Sequence, residues 1–364
     1  MIIALVIIAA MALFVYVFMQ QEKFGSTPAD ARLEMIERSP HYKVGKFQNL
    51  SNTPALTEGA SFFSVLKEFF FEKKERKKPA TVLPSKKTDL LQLSKDENIL
   101  VWMGHSSYFM QVDGKTILVD PVFSGAASPV SFTTRSFAGS DIYTPDDIPT
   151  IDFLFLSHDH WDHLDYDTIK KLQPKIKTII TGLGTGQHLE RWGFKKERVI
   201  EKDWNELVEL PGGFSVTVLP ARHFSGRSFS RNTALWVSFA LQTPSRKIYL
   251  GGDSGYDDHF KTIGKTHGPF DLAILECGQY DKNWKYIHMM PEQTVQAAID
   301  LGARQLLAVH WGKFALSNHA WDDPVKRVYK AAQESNMPLL TPMIGEKLLL
   351  GQEQVFANWW EDMV

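Results

Sequence analysis

From about residue 97 onward the chain alternates short apolar runs with polar breaks. The runs "NILVWMG", "YFMQV", "KTILVD", "DFLFLS", "KTIIT", "FSVTVLPA", "TALWVSFAL", "RKIYLGGD", "DLAILE" and "QLLAVH" each have the length and the β-branched or aromatic content of a strand. Asp113-Gly114, between the second and third, is a hairpin turn signal. Stretches with helical spacing intervene: "DYDTIKKLQ", "TGQHLERWG", "PEQTVQAAIDLG" with Pro291 near its start, and "DDPVKRVYKAAQES". Strand-rich blocks with helices interspersed predict two sheets flanked by helices, a layered α/β arrangement.

The N-terminal pattern is different. Ile2 to Met19, "IIALVIIAAMALFVYVFM", is eighteen residues without a charge. As a helix it would span about 27 Å, close to the hydrocarbon thickness of a bilayer. No basic residue precedes it and "VFMQQEKF" lacks a small-x-small cleavage site, so residues 1–20 are expected to be an uncleaved single-pass anchor. Lys23, Arg32 and Arg38 follow it, which by the positive-inside tendency places the main body on the cytoplasmic side. Residues 21–96 read as a connecting region with a short helix between Pro28 and Pro40. Within it "SFFSVLKEFFFEKKERKKP" sets five phenylalanines beside Lys67, Lys73, Lys74, Arg76, Lys77 and Lys78. Such a segment lies on an anionic lipid surface or forms a solvated helix with one apolar face. Residues 97–352 are expected to be the catalytic domain. In the tail, 353–364, "NWWEDMV" is expected to hold one packed tryptophan and one exposed one.

Composition narrows the function classes. With 44% hydrophobic and 23% charged residues over 364 positions, the chain has the balance of a globular protein with a full core. The net charge of −2, and the absence of a basic stripe within 97–350, argue against nucleic acid as a partner. One cysteine, Cys277, excludes an intrachain disulfide; behind "LAIL" it is expected to be a buried, inert thiol.

Several predicted strands end in a residue able to bind metal. "DFLFLS" runs into His158, His160, Asp162 and His163, while later strands end at His223, Asp253 and His310. Strand ends on one edge of a sheet converge, and these seven N/O donors suit two borderline metal ions. The H-x-H-x-D-H spacing divides its own donors. Side chains two apart on an extended segment point the same way, whereas adjacent Asp162 and His163 diverge toward a second centre. Asp165 would orient a ligand histidine or cap the helix "YDTIKKL". His105, in "WMGHSS", is expected to serve local hydrogen bonding.

The motif "SHDHWDH", followed by a distant His, an Asp and a last His, resembles the signature of the metallo-β-lactamase superfamily. "GGDSGY", "IGKTHGPFDLAILECGQY", "YIHMMPEQTVQAAIDLGARQLLAVHWGKFAL" and "WMGHSS" resemble one branch, the N-acyl-phosphatidylethanolamine-hydrolysing phospholipase D family, over roughly residues 97–350. The resemblance implies a four-layer αββα sandwich with a site for two zinc ions on one edge. It implies that His158, His160 and His223 hold one ion and Asp162, His163 and His310 the other, with Asp253 bridging. His160 stands where diiron, oxygen-reducing relatives carry a glutamate, which favours zinc and hydrolysis. Two cations ~3.5–4 Å apart share a water and lower its pKa from ~15.7 to near neutrality, so that it attacks as hydroxide. A phosphodiester repels hydroxide, so its charge must be neutralised and its alkoxide leaving group given a metal or a proton. Asp162, Asp253 and His288 are therefore the candidate catalytic residues, with His288 in "YIHMMPE" touching phosphate or delivering that proton. His288, Trp284 and Tyr286 are the candidate substrate-binding residues.

The implied function is a membrane-associated phosphodiesterase of phospholipase D type acting on an N-acylated phospholipid. The alternative is a metallohydrolase of a soluble lactone or small phosphodiester, with a narrow polar pocket. A non-catalytic, membrane-tethered scaffold would have shed ligands, and all seven are present.

Overall fold

Where the apolar runs fall decides which segments pack. The computed structural model describes residues 1–71 and 75–363. Lys73 and Lys74 of the basic run lie outside the described residues, as do the side chains of Phe62, Phe69 and Phe70. The chain begins with α1 (Ile2–Met19), a helix with no buried residue. The segment expected as a connector then forms α2 (Asp30–Glu37), a small hairpin of β1 (Tyr42–Lys43) and β2 (Lys46–Phe47), and α3 (Phe62–Phe71). It lies against the rest of the protein. Phe24, Ile36, Phe47, Leu83 and Leu90 are buried, Arg32 is held by Glu190 (2.8 Å) and Glu201 (2.7 Å), and Arg76 pairs with Asp322.

Next come β3 (Ile99–Trp102), β4 (Tyr108–Val112), β5 (Lys115–Val119), β6 (Ile151–Leu156), α4 (Tyr166–Leu172), β7 (Ile176–Gly182), α5 (Gly186–Arg191) and β8 (Val199–Lys202). They are followed by β9 (Leu207–Leu210), β10 (Phe214–Pro220), β11 (Val237–Gln242), β12 (Lys247–Leu250), α6 (His259–His267) and β13 (Leu272–Glu276). The chain closes with α7 (Pro291–Asp300), β14 (Leu306–Val309), α8 (Asp323–Glu334), β15 (Leu339–Leu340) and β16 (Lys347–Leu349). Two seven-stranded sheets result, in the orders β16-β3-β4-β5-β6-β7-β8 and β15-β14-β13-β12-β11-β10-β9.

Alternation along the first sheet sets the layers. Leu100, Trp102, Met110, Ile117, Val119, Phe153 and Phe155 face the second sheet and share its core, with Phe155 against Phe239 at 5.0 Å between ring centroids. Ile99, Val101, Phe109, Leu118, Leu154 and Leu156 face the other way, onto Ile169 and Leu172 of α4 and Leu189 of α5. Helices α6, α7 and α8 pack onto the second sheet through Phe260, Ile263, Val295 and Val328. The predicted four-layer αββα sandwich is the observed architecture. Cys277 is buried, as its setting predicts. The tail departs from expectation: Trp359 and Trp360 are both buried, stacked on and set edge-on to Trp311 respectively, because together they close the core beside α8.

The pairing directions prepare the site. β3 and β5 both run antiparallel to β4, and β5, β6 and β7 are mutually parallel. In the second sheet β10 and β12 both run antiparallel to β11, and β12, β13 and β14 are parallel. The C-terminal ends of β3, β5, β6, β10, β12, β13 and β14 therefore lie along one edge.

Candidate metal centre

Each of those ends delivers a polar side chain to the same place. β3 is followed by His105, β5 by Asp120, β6 by the run Ser157–His163, β10 by His223, β12 by Asp253 and β14 by His310, while β13 ends in Glu276. The backbone is strained where two of them meet. His105 and His310 have φ of 54° and 70°, a left-handed conformation that costs a residue with a Cβ about 1–3 kcal/mol. The neighbouring pairing offsets that cost, since His105 N donates to Trp311 O (3.0 Å) and His310 N to His105 O (2.9 Å). Gly278 lets the β13 exit approach: a Cβ there would lie 2.1 Å from His310 O.

The donors form two groups that share an edge. In the first, His158 Nε2 lies 2.9 Å and His223 Nε2 3.2 Å from His160 Nδ1, with Asp253 Oδ2 3.8 Å from His158 and 3.7 Å from His223. In the second, Asp162 Oδ2 lies 3.5 Å from His163 Nε2 and 2.9 Å from His105 Nε2, and His310 completes the set. Asp253 stands between them, 3.2 Å from both His163 Nε2 and His310 Nδ1. All seven candidate ligands are thus brought together, and their division follows the H-x-H-x-D-H spacing. His105, expected to serve local hydrogen bonding, belongs with the second group, because the β3 and β14 exits pair and turn its ring toward Asp162.

The donor set suits cations. Buried His163 Nε2, Asp253 Oδ1 and His105 Nδ1 have no hydrogen-bond partner among the described residues, even though His163 and Asp253 are in close contact. Tetrahedral zinc at ~2.0–2.1 Å from nitrogen sets its ligand nitrogens roughly 3.3 Å apart, near the spacing of the first group. Burial pushes His158, His223 and His310 well below the ordinary imidazole range, which keeps them in the neutral, ligating form. Burial would raise the Asp253 carboxyl, but His163, whose ring Asp253 and Asp162 hold well above the ordinary imidazole range against burial, overcomes it and keeps Asp253 well below the carboxylate range. Burial likewise opposes ionisation of Asp162, and His163 with His105 reverses the balance.

Outer contacts fix the rings. His223 Nδ1 donates to Ile287 O (2.8 Å), so Nε2 faces the group. His163 Nδ1 donates to Asp120 Oδ2 (2.8 Å), and Asp120 also accepts from Ser157 N (2.8 Å) and Ser157 Oγ (2.5 Å). Ser106 Oγ meets His310 Nδ1 at 2.8 Å. His288 Nδ1 bonds Glu276 Oε2 (2.7 Å), a carboxylate fully buried at the end of β13. Asp120, Ser106 and Glu276 escaped the sequence reading, although Asp120 and Glu276 carry the same signal as Asp253: an acid closing an apolar strand. Asp165 stands at the N-cap position of α4 but makes no side-chain bond to the helix backbone; it accepts from Ser124 N (3.0 Å) and Thr168 Oγ1 (2.5 Å) and so ties the loop after β5 to α4. Asp159 accepts from Gly226 N (2.6 Å) and meets His188 (3.2 Å), so it fastens the loop and takes no part in either donor group.

A cavity of about 230 Å³ opens over these groups, with His160, Asp162, Asp253, His288 and His310 at its floor and Phe224, Trp284, Ile287 and Leu316 in its wall. Trp284 and His288 therefore line it. Tyr286 lies outside it, its hydroxyl donating to Glu58 (2.9 Å) and its ring 4.8 Å from the Arg222 guanidinium. A larger hollow of about 470 Å³ around Arg32 contains none of the donors.

Residues 115–311 match the family described as the β-lactamase superfamily domain. An uncharacterised protein of Mycobacterium tuberculosis is 35% identical over 328 residues, which cover 89% of this chain and 88% of that one. N-acyl-phosphatidylethanolamine-hydrolyzing phospholipase D 1 of Caenorhabditis elegans is 36% identical over 233 residues, 59% of this chain and 64% of the worm protein. Among solved structures, Igni18, a metallo hydrolase of Ignicoccus hospitalis, superposes with a TM-score of 0.56 at 20% identity, over 70% of this chain and 99% of its own.

Proposed function

The chain belongs to the metallo-β-lactamase superfamily of metal-dependent hydrolases and is related to the N-acyl-phosphatidylethanolamine-hydrolysing phospholipases D, and on that premise we propose that it is a membrane-anchored, two-zinc phosphodiesterase acting on N-acylated phospholipids. The observation that carries this reading is the pair of donor groups meeting at Asp253 on the floor of one cavity. His158, His160 and His223 would hold one ion and Asp162, His163 and His310 the other, with Asp253 between them and His105 beside the second. Ions bound there would supply a water of lowered pKa and neutralise the charge of a phosphodiester.

The remaining tasks fall to the chain's own groups. Asp120 holds His163 by Nδ1 and so keeps its Nε2 toward Asp253. His288, gripped at Nδ1 by Glu276, keeps Nε2 for delivering a proton to the leaving alkoxide. Burial opposes a charge on that ring and pushes the Glu276 carboxyl up to about 7, while the contact between the two raises the His288 pKa and favours a proton held on the ring. Phe224, Ile287 and Trp284 keep water from one side of the cavity. A volume of about 230 Å³ takes the phosphodiester and its immediate neighbours and leaves the long chains outside, where α1 would put the bilayer. The same small volume favours, as a second reading, a soluble phosphodiester or lactone.

The test uses full-length protein in lipid vesicles, given N-acyl-phosphatidylethanolamine, a soluble phosphodiester and a lactone in parallel. Release of N-acylethanolamine and phosphatidic acid, stopped by a chelator and restored by zinc, is expected. Turnover of the soluble compounds alone would sink the lipid reading in favour of the second. Asp253→Ala should abolish turnover; near-normal activity in that variant removes Asp253 from the centre of the site.

A further inference from the structure

α1 leaves the protein between two loops, and both spring from the edge of the sheets that carries the donor groups. One, residues 124–136, follows β5 and Asp120; the other, 224–232, follows β10 and His223. Each is closed by its own hydrogen bonds. Ala127 N donates to Thr134 O (3.1 Å) and Ser136 N to Gly125 O (3.0 Å) in the first, and Asn232 N to Ser225 O (3.0 Å) in the second.

The helix exit is fastened to both loops. Lys23 Nζ donates to Pro129 O (2.6 Å), and Arg227 donates to Lys23 O through Nε (3.1 Å) and a terminal amino group (3.0 Å). The other terminal amino group of Arg227 donates to Asp159 O (2.9 Å) and Leu164 O (2.5 Å), and the guanidinium stacks 3.9 Å from the Trp161 ring. Phe24 meets the other side of the junction, edge-on to Trp161 at 5.3 Å. The end of α1 is therefore fixed in position relative to the loop that carries His158 to His163, and the direction of the helix sets the direction of the site.

Each loop also presents one phenylalanine at its tip among hydroxyl groups. Phe132, between Ser131 and Thr133, is 78% exposed, and Phe229, between Ser228 and Ser230, is 86% exposed. One exposed apolar side chain is ordinary on any protein. Two, on separately braced loops that flank an apolar helix with no buried residue, leave most of their surface unburied by the fold. The exit carries Lys23 and Arg191, which donates to Gln20 O (2.8 Å), beside the acid Glu22, held by the Tyr166 hydroxyl (2.7 Å), and the second loop adds Arg231, 5.2 Å from the Phe224 ring. Aromatic tips flanked by hydroxyls and cations are the composition that the headgroup layer of a bilayer accepts. The second loop runs from Phe224 in the cavity wall to Phe229 at its tip, which joins the site to this surface.

We propose that Phe132 and Phe229 insert into the interfacial layer of the bilayer that α1 spans, so that their loops form a collar around the helix exit and hold the donor-bearing edge of the sheets against lipid. The proposal rests on reading α1 as an anchor. It turns the cavity toward the membrane surface, and it leaves the β11–β12 turn at Pro244, on the opposite edge, in water.

The experiment places a cysteine at one position at a time in the full-length chain: Phe14→Cys, Phe132→Cys, Phe229→Cys or Pro244→Cys. Each is labelled with an environment-sensitive fluorophore, the native Cys277 being buried. The proteins are reconstituted in phosphatidylethanolamine–phosphatidylglycerol vesicles containing lipids nitroxide-labelled at shallow or deep positions. Quenching of the Phe14 label by deep nitroxides, of both loop labels by shallow ones with a blue shift, and of the Pro244 label by neither, is the expected result. A quenched Phe14 label with loop labels as unquenched as that at Pro244 overturns the collar while keeping the anchor. An unquenched Phe14 label overturns both.

Discussion

A carboxylate outside the cavity lining orients one of the candidate ligands. Asp120 accepts from His163 Nδ1 and from both the backbone and the hydroxyl of Ser157, and it is buried. It thereby fixes the tautomer of His163 and the start of the ligand loop at once. Asp120→Asn replaces an acceptor with a group that donates as readily, so the ring loses its orientation. Zinc affinity, measured by competition with a chromogenic chelator, should fall about 10- to 100-fold, as for other outer partners of ligand histidines. Unchanged affinity would show that His163 is oriented by something else. Asp120 was legible in principle, as an acid ending "KTILVD", but the sequence offers no sign of which histidine it would meet. That pairing depends on β5 and β6 lying side by side.

At the level of elements, α6 illustrates a cost hidden by folding. Its first residue, His259, is buried beneath Phe260, and Ser254 Oγ is its neighbour at 3.3 Å. Burial lowers its pKa from 6.5 to about 4, against the pull of Asp257, and the positive end of the helix acts in the same direction. The unfolded chain takes up this proton near pH 6.5 and the folded one only near pH 4. The neutral ring therefore contributes stability above the unfolded value, and the contribution disappears as pH falls between the two. The loss is on the order of 3 kcal/mol. Denaturant titrations from pH 7 to pH 4 should show a shallower acid decline in His259→Gln than in the parent protein; parallel curves would refute the assignment. α6 and the strands β8, β9, β15 and β16 are also the sheet-domain elements that the hydrophobic pattern does not reveal. Those four strands are the outer edges of the two sheets. Edge strands are half exposed, as in β9, where every second residue faces solvent, so they lack the continuous apolar runs that mark the ten interior strands.

Across the whole molecule, the two donor groups draw on both sheets. His158, His160, Asp162 and His163 come from the end of β6 in one sheet, and His223, Asp253 and His310 from β10, β12 and β14 in the other. Ions held there would tie the sheets at their shared edge and bind the folded state alone. At free zinc roughly 100-fold above Kd this linkage is worth about 2.7 kcal/mol. A chelator should lower the melting temperature, and added zinc should restore it in a concentration-dependent way. An unchanged melting temperature with the metal demonstrably removed would mean that the edge is held by protein contacts alone. The arm of residues 21–96 belongs to the same unit. Its buried Phe24, Ile36 and Phe47 are spaced too widely to form a periodic pattern, which is why the sequence reads as a connector there.

The sequence by itself determined the interior strands, the apolar N-terminal helix and the clustered candidate donors His158, His160, Asp162 and His163, because each is a local property: a run, a length, a spacing; His223, Asp253 and His310 were expected through the family resemblance. The division of "HDHWDH" between two groups was local too, since neighbouring side chains on an extended loop diverge. Only the tertiary structure decided the rest. It brought His105 and Glu276 to the centre, gave Asp120 its partner, kept Tyr286 out of the cavity and seated the end of α1 against Trp161. Each of those facts is a contact between segments far apart in the chain, fixed by strand order and by which face of a sheet a residue takes. No property of either segment alone encodes it.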